Sequence, residues 1–582
     1  MRSKEYGAIE MLSFNPLQFY NTWWATSSAP LAPVVAEGIK WSYAEPNRFL
    51  ESIFRIHQET TELKSRSIPH LHYDFYYDCV TRHLGKCRIA LKVIEGEAHS
   101  TEWTFEQLHG YVNDQLVKWQ TASIQRGQKI ALVMPMGIHF LVSLLTALKL
   151  GLAFTFLPID SQFLTAKQSQ KWLEDLEVDH VITTSISVQF VNEHASVFMM
   201  GNLEEKQNLA SDSYLYPAEE IVQQSLACYT QNAMAMVPLT AHEVYCHALR
   251  DGILSLNLKP GISWAYPFSC ALKEQPCQLL MSMLCGATTV YAAEKDLLKN
   301  PQLLMQEPLH ILGISLALKE LWEKNLGFPI TPLQFWYRSP LEDDYSSWER
   351  FVQENKIAKL PMSHVLMDNS VGGIALHSVP KIGDLSVDLW PGLGASWKLL
   401  PINQMDQMHS SAGRFEISLL QKHSSTLGNL ILAEVKEGWA IGGTVVPNRK
   451  GQTFPIHEIE KEVMALPFVN FCVILDFPKY QHTTQFILLI FIKPGDNSAV
   501  DKEAKWTEVI QAQIEQTQGP FFIPDQIVYY PLYPRLKNDA IDRSWCRFQY
   551  QTGLLQRKKQ MKPYHLISSL RMCIKEEMLC QI

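Results

Sequence analysis

Pro534-Arg535-Leu536-Lys537-Asn538-Asp539-Ala540-Ile541-Asp542-Arg543 is the most informative stretch of a 582-residue chain. Taken alone it is a Pro-containing surface loop, so its meaning comes from what surrounds it. The length suggests several domains. Hydrophobic residues make up 47% and charged residues 19%, enough to bury a sizeable core and to argue against disorder. Net charge is −8 with both signs interspersed, which excludes a nucleic-acid footprint. Eleven Cys lie scattered from Cys79 to Cys580 with no CxxC pair. That pattern points to a reducing, cytoplasmic setting rather than a disulfide framework or zinc site. No signal peptide is expected, because Arg2, Lys4, Glu5 and Glu10 are not followed by an apolar run. Phe140–Leu152 is apolar but contains Lys149 and is shorter than the ~20 residues of a membrane span, so it reads as a core helix.

Working back along the chain, helices and strands alternate. Thr104 is placed to cap a helix carrying Val112, Leu116 and Trp119, which Arg126-Gly127 is expected to stop. Lys129–Met134 and Ala153–Leu157 read as buried strands joined by a helix over 138–150, the pattern of a parallel sheet under helices. Further strands are expected at Val181–Thr184, at Ser196–Met200 and at Gly286–Tyr291, the last after a helix over 275–285. Beyond about residue 400, Gly413–Leu420 and Leu430–Val435 read as antiparallel strands. The fold class expected is α/β: a large domain of parallel sheets with flanking helices and a small antiparallel subdomain, then a smaller mobile α+β domain. The divisions expected are a packing segment at 1–70, the large domain at 71–439, the smaller domain at 440–545 and a helical extension at 546–582.

With that layout in view, residues 534–543 resemble the closing motif of the adenylate-forming superfamily, roughly Pro-Arg/Lys-Thr-x-x-Gly-Lys-Ile-x-Arg. Other stretches agree in order and spacing. Leu71–Leu84 looks like the entry segment of acetyl- and propionyl-CoA synthetases. Trp103–Leu108 with Gly127–Pro135, Gly286–Val290, Val371-Gly372-Gly373, Pro391-Gly392, His457–Glu460 and Leu466–Val469 are similar to successive family motifs. The resemblance implies an AMP-dependent acid–thiol ligase fold using ATP, Mg²⁺ and CoA.

The same resemblance locates the chemistry, and there the residues depart from the family. The closing-motif Lys, which in the family meets the carboxylate and α-phosphate, is replaced by Ala540, with Lys537 three residues before it. Losing such electrostatic stabilisation costs on the order of 10²–10³ in rate. The Gly- and Lys-rich phosphate loop becomes Tyr229-Thr230-Gln231-Asn232-Ala233-Met234-Ala235-Met236-Val237-Pro238-Leu239, without one Gly or Lys. At the nucleotide and Mg²⁺ position, Asn369 stands for the phosphate-binding Thr and Ser370 for the metal-binding Glu, with Asp368 adjacent. No clear ribose-binding Asp occurs between 400 and 425, where Asp406 and Glu416 are the acids considered. The hinge acid is replaced by Thr444 or Val445, and Pro447 stiffens the segment.

Three readings follow. The first is an impaired pseudoenzyme keeping the fold to bind a small acyl or nucleotide ligand or a partner; no intact catalytic residue, metal site or certain cofactor is expected. The second is a divergent ligase forming an acyl-adenylate and acyl-CoA, which requires ATP, Mg²⁺ and CoA. The third is an unrelated α/β protein. His83, His109 and His139 have no metal spacing and read as surface or capping residues, and Trp23-Trp24 as packing on the main domain. In the tail, Leu566, Ile567, Leu570, Cys573 and Ile574 recur at helical spacing after the basic run 557–562. That suits a self-docking helix or contact with a protein or membrane surface.

Overall fold

The computed structural model describes residues 15–553 except 25–31, 62, 96–98, 160–168, 170–171, 175, 192–195, 206–211, 229–233, 269–273, 326–331, 341–344, 386–387, 402–411, 420–422, 436–437, 445–447, 450–451, 455, 479–483, 493–498, 531–533, 538–539, 542 and 552. The strand Lys129–Met134 shows why a continuous apolar run is needed here. Ile130, Leu132 and Met134 enter one core, while Ala131 and Val133 enter another on the opposite face, so the sheet is covered twice. Its parallel neighbours are Ala153–Pro158 and His180–Thr183, with Val197–Met199 at one edge. At the other edge, Ile221–Cys228 runs parallel to Ala153–Pro158 and forms a hairpin with Met234–Thr240. The helix Ile138–Leu150 is the buried core helix expected from its composition and ends at Gly151, whose φ of 82° is the left-handed conformation of a C-cap.

The second sheet places strands Ser263–Ala265, Thr288–Ala292, Ile311–Gly313, Phe335–Arg338 and Pro361–Asp368 in parallel. It too is two-faced: Trp264, Ile311, Phe335 and Tyr337 enter the core shared with the first sheet, and Ala265, Leu312, Trp336 and Met362 enter a separate one. The helices Ala241–Arg250 and Cys277–Cys285 contribute to that shared core. Then Ser396–Pro401, Ala412–Leu419, His423–Val435 and Gly438–Thr444 form a four-stranded antiparallel sheet. Near the end of the chain Val469–Pro478, Thr484–Ile492 and Gln526–Tyr530 form a three-stranded sheet. Phe486, Leu488 and Ile490 meet Ile459, Ile510 and Ile514 on one side, and Ile487, Leu489 and Phe491 meet Cys546 and Tyr550 on the other.

Two local expectations change. The helix capped by Thr104, with a full capping box to Gln107, stops at Thr121, before Arg126-Gly127. Ser123 already takes a φ of 63°, so the turn precedes the glycine that looked like the stop signal. His83 is not a surface residue: it is fully buried and its Nε2 lies between the carbonyls of Asp78 and Met283. Stacking on Phe105 accounts for the inward position. Among the described residues, no helix is long and apolar enough to cross a membrane.

Candidate functional site

Parallel sheets offer ligands the crevice beyond the carboxyl ends of their strands, and the expected nucleotide residues lie at one such end. Asp368 closes the strand Pro361–Asp368, Asn369–Val371 make a short 3₁₀ turn, and Gly373–His377 returns antiparallel, with Asp368 opposite Gly373. Gly372 adopts φ +72°, donating its N–H to the Asn369 carbonyl, which is why this turn requires glycine. A Cβ on Gly373 would stand 2.3 Å from Asp251 Oδ2, so that glycine is required by close packing.

Asn369, expected at the position of the family's phosphate-binding Thr, is held by other parts of the chain. It is buried, its Nδ2 donates to the Gln275 carbonyl, and its Oδ1 accepts from Gln223 Nε2 at 3.4 Å. One side chain thus ties the first sheet's strand Ile221–Cys228 to the turn before Cys277–Cys285. Ser370 sits within the 3₁₀ turn. Tyr229, Thr230, Gln231 and Asn232 lie outside the described residues, and so does Val445. The flanks are informative: Cys228 pairs with Met234, and Met234–Thr240 is strand, so most of the second half of the expected phosphate loop is ladder. Thr444 is the last residue of Gly438–Thr444 and pairs with Leu430.

The closing motif forms a small hairpin in which Leu536–Lys537 pairs with Ala540–Ile541, Lys537 directly opposite Ala540. Arg543, the motif's last basic residue, makes a structural tie. Its guanidinium pairs with Glu460 and donates to the Ile474 carbonyl at 3.0 Å, while Glu460 accepts from the Ile474 N–H at 2.7 Å. Arg547 binds Asp476 Oδ1 at 2.7 Å in the same region.

Sequence reasoning missed the buried charges behind the hairpin formed by Pro361–Asp368 and Gly373–His377. The helix Ala241–Arg250 opens with a capping box between Thr240 and Glu243 and continues as a π turn over Asp251–Ser255. Arg250 Nε donates to Asp251 Oδ1 at 2.6 Å, and its other nitrogens reach the carbonyls of Leu393 at 3.0 Å and Ile374 at 3.3 Å. Asp251 Oδ2 accepts from the Ile374 N–H at 2.6 Å. Burial raises the Asp251 carboxyl above its ordinary range, opposed by Arg250, and burial then Arg250 hold His247 well below the usual histidine value. The available signal was Arg250-Asp251 standing just before the apolar run Ile253-Leu254.

Large side chains occupy the neighbouring crevice, where the strands from Ser263–Ala265, Ile311–Gly313 and Phe335–Arg338 end. Tyr266 and Tyr337 have ring centroids 5.1 Å apart and close on Gly313, where a Cβ would lie 2.1 Å from Tyr266 Cδ2 and 2.7 Å from Tyr337 Cζ. Tyr337 is fully buried, and among the described residues its hydroxyl has no hydrogen-bond partner. A cavity lined by Trp336, Val352, Ile357, Leu360, Met362 and Leu385 belongs to the sheet's other face. Among the described residues no group of three or more His, Cys, Asp or Glu is arranged to hold a metal ion. Asp368 is the carboxylate that directly precedes the turn, and both ends of the Asn369 amide are engaged by protein.

No sequence-family model matches the chain, and no curated protein matches its sequence. Solved structures do. An acyl-CoA synthetase of Brucella canis superposes with a TM-score of 0.60 at 13% identity, over 84% of this chain and 96% of that one. An acetoacetyl-CoA synthetase from Streptomyces lividans gives 0.59 at 13%, over 93% and 97%. The anthranilate CoA ligase AuaEII, in complex with anthranoyl-AMP, gives 0.56 at 13%, over 84% and 99%. These likenesses span nearly the whole of each relative, and the chain has the fold of the adenylate-forming superfamily.

Proposed function

We propose that this protein is an acyl-CoA synthetase-like pseudoenzyme that keeps the ligase fold for binding a ligand or partner and has lost adenylation chemistry. The observation carrying this reading is the division of labour among motif residues. Those that survive hold the fold: Gly372 shapes its turn, Gly373 admits Asp251, and Arg543 joins Glu460 to the strand Val469–Pro478. Those needed for charge transfer are replaced, with Ala540 at the Lys, Ser370 at the metal ligand and Asn369 bonded into the core. A methyl group and an engaged amide supply no stabilisation to a developing phosphoryl charge.

The alternative, a divergent active ligase, is favoured by one feature: Lys537 lies directly across the hairpin from Ala540. ATP–pyrophosphate exchange over a panel of carboxylic acids with Mg²⁺ separates the two. The expected result is no exchange, and none restored by Ala540→Lys alone, because the phosphate-loop and metal positions remain substituted. Exchange above the no-acid background for any acid, abolished by Lys537→Ala, establishes the ligase instead.

A further inference from the structure

The N-terminal helices α1 (Pro16–Trp24), α2 (Pro33–Ala44) and α3 (Pro46–Thr61) precede the two large sheets, and α1 meets the π turn in a specific way. The last carbonyls of a helix lack intrahelical donors, and here α1 supplies two. Trp23 Nε1 donates to the Leu254 carbonyl at 2.7 Å, and Trp24 Nε1 to the Ile253 carbonyl at 3.2 Å. The Trp23 ring lies 5.4 Å from His377, and Trp24 stands edge-on to Phe335 at 5.3 Å. Phe19 fits against Gly38 of α2, where a Cβ would stand 2.1 Å from Phe19 Cδ2.

The same turn reaches the candidate site. Arg250 and Asp251 grip the backbone of Ile374 and Leu393, and Ser255 Oγ lies 2.9 Å from His377 Nδ1. A line of contacts therefore runs from the α1 indoles through the π turn to the hairpin that carries Asp368 and Asn369. A helix of nine residues is not stable by itself in water. The order of α1 depends on being docked, and docking and ordering are one equilibrium.

We propose that α1 is a detachable strap that sets the conformation of this site. Docked, it fixes the π turn and through it the hairpin 369–374 and the segment 391–393; released, it loosens both. The inference uses the hairpin of the proposed function but not its loss of chemistry, so an active ligase would leave it standing.

Hydrogen exchange on the full chain tests it with two variants. Gly38→Ala drives Phe19 from its seat while raising the intrinsic helix preference of α2. Trp23→Phe keeps a ring and removes the N–H donor. Both should accelerate exchange in 16–24, 253–258 and 371–376, by about tenfold for Trp23→Phe and more for Gly38→Ala, and leave 486–491 unchanged. Acceleration confined to 16–24 overturns the proposal, because α1 then transmits nothing. So does acceleration that reaches 486–491 in both variants, which makes α1 an inseparable part of the core, and so does no change in either.

Discussion

Replacing Asp251 by Ala removes an acceptor whose two oxygens are both in use, Oδ1 by Arg250 Nε at 2.6 Å and Oδ2 by the Ile374 N–H at 2.6 Å. The side chains of Arg250 and Asp251 are 2% and 1% exposed, so water cannot take over either role. Breaking one half of a buried ion pair typically costs ~3–5 kcal/mol, and an orphaned buried N–H ~1–3 kcal/mol. The two penalties overlap, because Arg250 keeps its bonds to the Leu393 and Ile374 carbonyls. We expect about 4 kcal/mol for Asp251→Ala. Asp251→Asn should cost roughly half as much, since its amide oxygen still serves one donor. A chain with several cores does not unfold in one step, so the assay is local: native-state hydrogen exchange at 371–376 and 251–258. A loss of about 4 kcal/mol is a fall in protection of roughly 10³-fold. Ser255→Ala, which loses the single bond to His377, is the control at about 1 kcal/mol. If Asp251→Ala lowers protection no more than Ser255→Ala, the ion pair does not hold the hairpin and the argument fails.

Tyr337→Phe removes a buried hydroxyl with no partner among the described residues, so it should stabilise its strand by about 1 kcal/mol, read as slower native-state hydrogen exchange at 311–313 and 335–338; faster exchange there would mean that the hydroxyl has a partner. Burial and nearby Arg82 bring His83 down to about 3, burial and Arg250 bring His377 down to about 3, and burial and His70 bring His242 down to about 4. Because these folded-state values lie below the usual 6.5, the unfolded chain takes up protons first. Stability present above pH 6.5 should therefore fall steadily toward pH 4, and a protection factor at 81–83, 242–246 and 374–377 that stays flat across that range contradicts the buried neutral histidines. Deleting residues 556–582, which carry the apolar stripe and basic run, should leave the melting temperature nearly unchanged and abolish any association; aggregation or melting many degrees lower would make the tail part of the core.

The strands and helices that sequence reading placed well were those whose residues share one environment over several positions. Lys129–Met134, Ile138–Leu150 and Thr288–Ala292 are examples, as is the capping box at Thr104, a purely local pattern. His83 and the helix end at Thr121 were misread because neighbours distant in the chain, or a single left-handed residue, decided them.

For the site, the resemblance pointed to Val371-Gly372-Gly373, and the chain does turn there, with Asp368 ending one strand and Gly373 opening the next. That Ala540, Asn369 and Ser370 carry no charge is legible in the sequence, because charge is a property of the residue itself. What those side chains do instead depends on partners far along the chain. Asn369 bonds to Gln275 and Gln223, Arg543 to Glu460, Asp251 to Ile374, and Tyr266 and Tyr337 close over Gly313. A hydrogen bond or a filled crevice depends on distance in space, and only the folded chain brings these residues within reach of one another.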